Sequence, residues 1–478
     1  MKYGKLILLF ISACLAACSP QREKIQQPNV LFIAVDDLRP ELGCYGQSHI
    51  ISPNIDKLAN SGMVFTNAYC NIPVCGASRA SLLTGIRPTV NRFVDYNTWA
   101  QEDVPGAISL PALFKQNGYH TISNGKVFHH KDDLKDSWTE APWNPAETSS
   151  YMNYQTKLNQ DIFSDGKQRG FPYEAGEVAD TAYFDGKIAS KTIADLKRLK
   201  EEGKPFFVAT GFLKPHLPFN APKKYWDLYP EENIQLPNNY YPPQNAPKAA
   251  IHNFGELRSY YSIPKEGPVA DSTALNLIRG YYACVSYVDV QIGRVLDALD
   301  ELGLAENTIV VLWGDHGWQL GEHSIWCKHA NFKTSLNAPL IIRAPGYNDQ
   351  HRSKALVEFI DIYPTLCELS GLEKPKQLHG KSFVPLLENP DQAWKEKVYS
   401  RFIKGESIIT DRYLYTEWIN QQDSIYASML YDHQTDPDEN KNIVGANGIK
   451  DTVQSLHNQL HQHIETDRTY INESQQGG

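Results

Sequence analysis

Cysteine is sparse in this chain and scattered. Eight cysteines occur in 478 residues, with no Cys-x-x-Cys pair and no dense cluster, so disulfides are not the framework of the fold. Positive charge is in deficit as well: 46 Lys+Arg against 55 Asp+Glu leave a formal net charge of −9. That excludes a broad electrostatic attraction to nucleic acid. An anionic ligand would have to be held by cations gathered locally. Internal repeats and low-complexity tracts are missing, and past the amino terminus no apolar run is long enough to span a bilayer. What remains is ordinary globular composition, 41% hydrophobic and 21% charged. Length alone suggests about three domains, although one large α/β domain absorbs most of such a length.

The amino terminus reads as an address. Lys2 and Lys5 precede an apolar run from Leu6 to Ala17, too short for a comfortable membrane span and typical of a secretory signal. It ends in Leu15-Ala16-Ala17-Cys18, which resembles the bacterial lipoprotein cleavage box, with Cys18 supplying the thiol for lipidation. The expected organisation is a signal peptide over 1–17, a lipidated cysteine and tether over 18–28, a catalytic domain over 29–396 and a C-terminal subdomain over 397–478. The product would be exported to a bacterial cell envelope, anchored by lipid and facing the periplasm or the cell surface. The mature chain keeps Cys44, Cys70, Cys75, Cys284, Cys327 and Cys367, of which one pair is open to bridging. Cys327, beside Lys328, reads as a packed residue of an active-site loop.

Continuous apolar runs mark strands buried on both faces of a parallel sheet: Asn29–Val35, Phe206–Phe212, Ile309–Trp313 and Pro339–Arg343. Helical patterns lie between and beyond them, at Asn54–Gly62, Asp180–Lys200, Ala274–Leu302 and Val357–Leu369. Strands alternating with helices predict an α/β domain with a mostly parallel sheet, whose ligand lies outside the carboxyl ends of the strands. The aromatic- and proline-rich stretches Trp138–Pro172 and Pro230–Pro268 read as long, ordered loops over that sheet. From Lys397 the texture changes to short strands (Val398–Ile403, Glu406–Asp411, Tyr413–Trp418, Met429–Asp432) and a closing helix over Ile449–Ile464, a smaller α/β subdomain with an antiparallel sheet.

Chemistry concentrates at a few points. Two predicted strands end in acidic residues, Asp36-Asp37 and Asp315-His316, and hard oxygen donors of that kind suit Ca²⁺ or Mg²⁺ better than zinc. Each pair taken alone would more often be a turn or helix cap. Basic residues cluster in Gly125-Lys126-Val-Phe-His129, Lys214-Pro215-His216 and at Lys328. Any one of them would more often be a solvated surface charge. Asn71-Ile-Pro-Val-Cys75-Gly-Ala-Ser-Arg79-Ala-Ser-Leu-Leu-Thr84-Gly85 is the most informative segment.

That segment resembles the signature of the type I sulfatases of the alkaline phosphatase superfamily, Cys-x-Pro/Ala-x-Arg followed by Leu-Thr-Gly, with Ala77 where proline is commoner. The resemblance implies an alkaline phosphatase-like fold and oxidation of Cys75 to formylglycine by a sulfatase-maturating enzyme. A hydrated aldehyde offers two hydroxyls on one carbon, one to attack sulfur and one to eliminate sulfate. A helix starting at Cys75 would point N–H groups at sulfate, with Arg79 adding permanent positive charge. Carried over residue by residue, Asp36, Asp37, Asp315, His316 and the modified Cys75 hold one Ca²⁺. Lys126 and Lys328 grip sulfate, His129 assists elimination, and His216 protonates the leaving alcohol.

His316 stands where most of the family has Asn, a departure typical of the iduronate-2-sulfatase branch. Val35–Gly46, Tyr282–Asp289 and Asp315–His323 resemble that branch too. The implied substrate is a 2-O-sulfated uronate in a sulfated oligosaccharide or polysaccharide of ulvan, heparin/heparan or dermatan type. Trp318 would stack on the sugar, while Lys328 and Lys214 bind substrate. Two other readings stand beside this one. The first is a phosphodiester or phosphonate hydrolase, or a sulfatase of other position specificity, on the same fold. The second is a lipid-anchored glycan-binding protein without catalysis.

Overall fold

The computed structural model describes residues 27–145, 151–164, 168–347 and 350–476, with side chains described as far as residue 466. The expected signal, Cys18 and most of the tether lie outside the described residues. No helix among the described residues is long and apolar enough to cross a membrane.

The frame is a seven-stranded sheet. Its strands are β1 (Asn29–Val35), β2 (Met63–Tyr69), β3 (His120–Gly125), β4 (Phe206–Phe212), β5 (Thr308–Gly314), β6 (Leu340–Arg343) and β7 (His351–Glu358), in the spatial order β7-β2-β6-β5-β1-β4-β3. All run parallel except β6, which is antiparallel to both β2 and β5. The central strands β1, β4 and β5 are buried along their whole length, as their unbroken apolar sequences require when helices cover both faces. The long helices α2 (Phe184–Glu202) and α3 (Asp271–Glu301) pack against each other beside the sheet, and α1 (Cys75–Thr84) is buried throughout.

Two expectations need correction. Val357 and Glu358 belong to strand β7, and the helix expected from Val357 begins only at Ile362, after a short 3-10 turn. The segment read as a loop over 138–172 contains a helix, Lys157–Phe163, and a strand beginning at Tyr173 follows it. All six described cysteines are free and buried, so no bridge forms among them.

A second, antiparallel sheet follows: β8 (Lys397–Phe402), β9 (Gly405–Thr410), β10 (Tyr413–Ile419) and β11 (Ile425–Asp432), in sequential order. Period-two alternation splits its apolar residues between two faces. Val398, Ile409, Leu414, Trp418, Met429 and Tyr431 join the core of the large sheet, whereas Ile408, Tyr415 and Leu430 pack under the helix α4 (Lys450–Gln476) through Leu456 and Leu460. β8 also reaches the active side of the molecule. The Arg401 N–H donates to the Asn71 carbonyl at 3.0 Å, and Asn71 Nδ2 donates to the Tyr399 carbonyl at 3.1 Å, four residues before Cys75.

Candidate active site

β1 and β5 are neighbours, with Val35 opposite Gly314, so the acidic residues that follow each strand emerge side by side. Asp37 takes a left-handed conformation (φ 60°), and its N–H donates to Asp315 Oδ1 at 3.0 Å, locking the two turns together. On the other side of β1, Gly125 ends β3 and Gly211 lies opposite it in β4. A side chain on either would strike backbone of the other turn, so the glycine pair lets the Lys126 segment cross close to β1.

Helix α1 brings the nucleophile candidate. Cys75 Sγ lies 3.2 Å from His316 Nε2 and 3.8 Å from Asp37 Oδ1. Val74, the N-cap, makes no side-chain cap bond, which leaves first-turn N–H groups for an anion. One turn later, Arg79 is wholly buried. Its Nε donates to Asp315 Oδ2 at 2.9 Å, its Nη2 to Asp36 Oδ1 at 3.1 Å, and its Nη1 to the carbonyls of Lys126 and Val127. Four of its five N–H bonds are thus engaged within the protein. Arg79 thus places its permanent charge behind the site, where it holds two of the acidic residues and the Lys126 turn in place.

His316 Nδ1 lies 2.9 Å from the Gly317 carbonyl, which fixes the proton there and leaves the Nε2 lone pair facing Asp37 Oδ1 at 3.5 Å and Asp315 Oδ1 at 3.6 Å. Cys75, Asp315 and His316 place ligand atoms within 4.8 Å of one another, and so do Asp36, Asp37, Cys75 and His216. Three buried carboxylates and an oriented imidazole lone pair converging on one point fit a divalent cation, and the predominance of oxygen donors fits a hard one.

The cations close the ring. Lys126 Nζ sits 2.5 Å from Asp36 Oδ2, and Lys328 Nζ sits 3.2 Å from Asp37 Oδ1 and 2.9 Å from Glu256 Oε2. His216 Nε2 lies 3.1 Å from Glu256 Oε1, while its Nδ1 is bound to the Leu217 carbonyl at 2.5 Å. Burial alone would raise the Asp36 carboxyl, but Lys126 and Arg79 hold it well below the usual carboxylate range. Asp37, equally buried and only partly offset by Lys328, is raised. Burial likewise pushes the Cys75 thiol well up, so as an unmodified thiol it is a poor nucleophile. Burial and the field of Lys126 lower His129 to about 2, which keeps its imidazole neutral, and its Nδ1 has no hydrogen-bond partner among the described residues. It is therefore neutral and only weakly basic where it stands.

Cys75, Asp36, Asp37, Asp315, His316, Lys126, His216 and Lys328 therefore share one site, with Arg79 behind it and His129 beside it. Two expectations fail. Trp318 is 1% exposed, stacked on Tyr281, with Lys328 Nζ 5.0 Å above its ring centroid. It carries Lys328 and has no free face for a sugar. Lys214 Nζ donates to the carbonyls of His216 at 2.8 Å and Pro218 at 2.6 Å, and its own N–H donates to Asp185, so it shapes the His216 turn rather than touching a ligand. Sequence reading missed Glu256, in a short helix inside a segment read only as a loop, and no local pattern marks it. It also missed Tyr151, 39% exposed, whose ring lies edge-on to His216 at 6.2 Å with Arg169 5.8 Å from its centroid.

A nucleophile position at a helix amino terminus, beside a carboxylate–histidine cation site and ringed by lysines, defines a hydrolase of anionic esters on a parallel α/β sheet. The sulfatase family pattern matches residues 28–372, and the pattern of the N-sulphoglucosamine sulphohydrolase C-terminal region matches residues 321–466. The chain belongs to the sulfatase family and is a sulfuric ester hydrolase. It is 34% identical to the iduronate 2-sulfatase of Mus musculus, covering 87% of this chain and 90% of that protein. The Homo sapiens iduronate 2-sulfatase is 36% identical over 79% of this chain and 75% of its own length. A solved structure of BT4656 with its substrate D-glucosamine-2-N,6-O-disulfate shares the fold, with a TM-score of 0.73 at 23% identity over 93% of this chain and 99% of that one.

Proposed function

We propose that the enzyme removes the 2-O-sulfate of a uronate, iduronate first among them, from sulfated oligosaccharides, with Cys75 oxidised to formylglycine and Ca²⁺ in the acidic site. The observation that carries this reading is the likeness to iduronate 2-sulfatases along most of both chains, combined with His316 oriented at the cation site. Sγ of Cys75 marks where the oxygens of the hydrated aldehyde would stand. Hydrated, that group supplies one hydroxyl to attack sulfur and a second to expel sulfate. Asp36, Asp37, Asp315 and His316 would hold the ion, which supplies Lewis-acid charge against the sulfate oxygens. Lys126 and Lys328 bind sulfate oxygens as they enter, and Arg79 keeps Asp36 and Asp315 ionised and aimed. His216 Nε2, between Glu256 and the cavity, would deliver a proton to the departing alcohol oxygen, and His129 would assist the elimination of sulfate. The buried nucleophile position suits exo action on a chain end, and export as an envelope lipoprotein would place the enzyme among extracellular polysaccharides.

A panel of oligosaccharides bearing 2-O-, 3-O-, 4-O- or 6-O-sulfate on uronate, rhamnose or hexosamine tests the specificity, with Cys75→Ala as control and the mass of the Cys75 peptide measured alongside. Preferred release from uronate 2-sulfate, calcium restoring activity after chelation, and a Cys75 residue lighter by sulfur and two hydrogens but heavier by oxygen are expected. Preference for hexosamine 6-sulfate overturns the uronate assignment. An unmodified Cys75 in active enzyme, or faster turnover of phosphonate esters, overturns the mechanism or the substrate class.

A further inference from the structure

Outside the active site, a second set of metal-ligand side chains sits where α4 crosses the antiparallel sheet. Glu417, from the middle of β10, has a fully buried carboxylate. Its Oε1 lies 2.8 Å from His457 Nδ1 and its Oε2 lies 2.8 Å from His461 Nε2. His457 and His461 are four residues apart, which places both on one face of the helix, and their ring centroids are 4.2 Å apart. The ligand atoms of all three residues lie within 4.8 Å of one another. The Tyr415 hydroxyl donates to Glu417 Oε1 at 2.6 Å, as an outer-shell partner that orients the carboxylate.

We propose that Glu417, His457 and His461 bind one Zn²⁺ that clamps α4 to the second sheet. Two imidazole nitrogens and one carboxylate oxygen form a zinc donor set with a fourth position for water, whereas calcium and magnesium select all-oxygen shells. Tetrahedral ligands bound at about 2.0–2.1 Å stand roughly 3.3 Å apart, so the two hydrogen-bonded contacts of 2.8 Å would open by about half an ångström as the ion enters. The histidine side chains are 30% and 34% exposed, so ion and water have an approach while Glu417 stays dry. In each ring, the neutral tautomer with its proton on the remote nitrogen presents a lone pair to the ion. The clamp has a mechanical purpose. Among the described residues of α4, Leu456 and Leu460 are buried against this face, with Val453 and Ile464 only partly buried beside them, so a metal clamp would add to a modest apolar anchor.

The test uses the full-length protein freed of metal, titrated with Zn²⁺, beside His457→Asn/His461→Asn and the milder His461→Gln. Bound zinc is measured by elemental analysis and amide exchange over residues 450–464 by mass spectrometry. Wild type should retain one more zinc per chain than either variant. Zinc should slow exchange in α4 roughly 10-fold or more in wild type and leave it unchanged in the variants. Sulfatase activity with calcium present should be the same in all three. His461→Gln retains a hydrogen-bonding group facing Glu417 while lacking the ligand, so it guards against misfolding of the double variant. Equal zinc content in wild type and His461→Gln, or α4 exchange indifferent to zinc, overturns the site and leaves a plain hydrogen-bonded triad.

Discussion

Glu256 is the residue that joins two basic groups of the site. It faces Lys328 and His216 at once, and although burial would raise its carboxyl, these two hold it well below the carboxylate range. Glu256→Gln removes the charge but keeps the shape. It should lower kcat by roughly 10- to 100-fold, the scale of losing a positioned proton donor, with a smaller change in KM. An unchanged kcat would detach His216 from proton delivery. Tyr151 is the exposed ring beside His216, in the position Trp318 was expected to fill. Tyr151→Ala should raise KM for a sulfated disaccharide by about 10-fold and leave turnover of a small aryl sulfate unaltered, because only the larger substrate has a ring to stack. Residues whose chemistry needs a rare type in a fixed local pattern were legible from sequence: Cys75 and Arg79 on one helix turn, and Asp36-Asp37 and Asp315-His316 after apolar strands. Trp318 was misjudged because sequence gives its chemistry and not its burial. Glu256 was invisible because its role arises only where a distant short helix meets Lys328.

At the scale of elements, legibility followed unbroken apolar sequence. β1, β4, β5 and β6 are apolar runs and announced themselves, whereas β2, interior but interrupted by Thr66 and Asn67, did not. β3 and β7 lie at the two sheet edges, and their polar sequences, His120-Thr-Ile-Ser-Asn-Gly125 and His351-Arg-Ser-Lys-Ala-Leu-Val-Glu358, carry no such signal. The apolar end of β7 was therefore taken into the helix that follows. The turn after β1 carries a pH-dependent anchor of its own. Burial would raise Glu41, but Arg39 and His49 bring it from 4.5 down to about 2. A carboxylate depressed by folding stabilises the native state above its unfolded pKa of about 4.5, and that contribution fades as the pH falls toward 2. Its size is about 3 kcal/mol. Glu41→Gln should therefore unfold at lower urea concentration than wild type at pH 7, and the gap should narrow steadily between pH 4.5 and pH 2. A gap independent of pH would show that packing, not charge, anchors the turn.

On the scale of the whole molecule, the change of texture at Lys397 was legible, but the unity of the core was not. One face of the antiparallel sheet completes the core of the large sheet, and β8 bonds to Asn71 just ahead of Cys75. A chain ending at residue 396 should consequently be insoluble or lack a cooperative unfolding transition. A soluble, active truncation would show that the catalytic domain stands by itself. Burial of Cys75 sets a further consequence, one of timing. The residue is 3% exposed, and Gly76 beside it leaves no room even for a methyl group, with the Tyr96 carbonyl 2.7 Å from where a Cβ would stand. Under the proposed formylglycine chemistry, an oxidising enzyme would not reach that carbon once the chain has closed over it, so conversion would run ahead of folding. Each molecule would then settle its fate once, and any that folded with its thiol intact would stay inert. Folded, unconverted protein mixed with the maturating enzyme should gain no activity, whereas the same protein unfolded, treated and refolded should gain it; the specific activity of a preparation would be a fossil of the race between two clocks during synthesis.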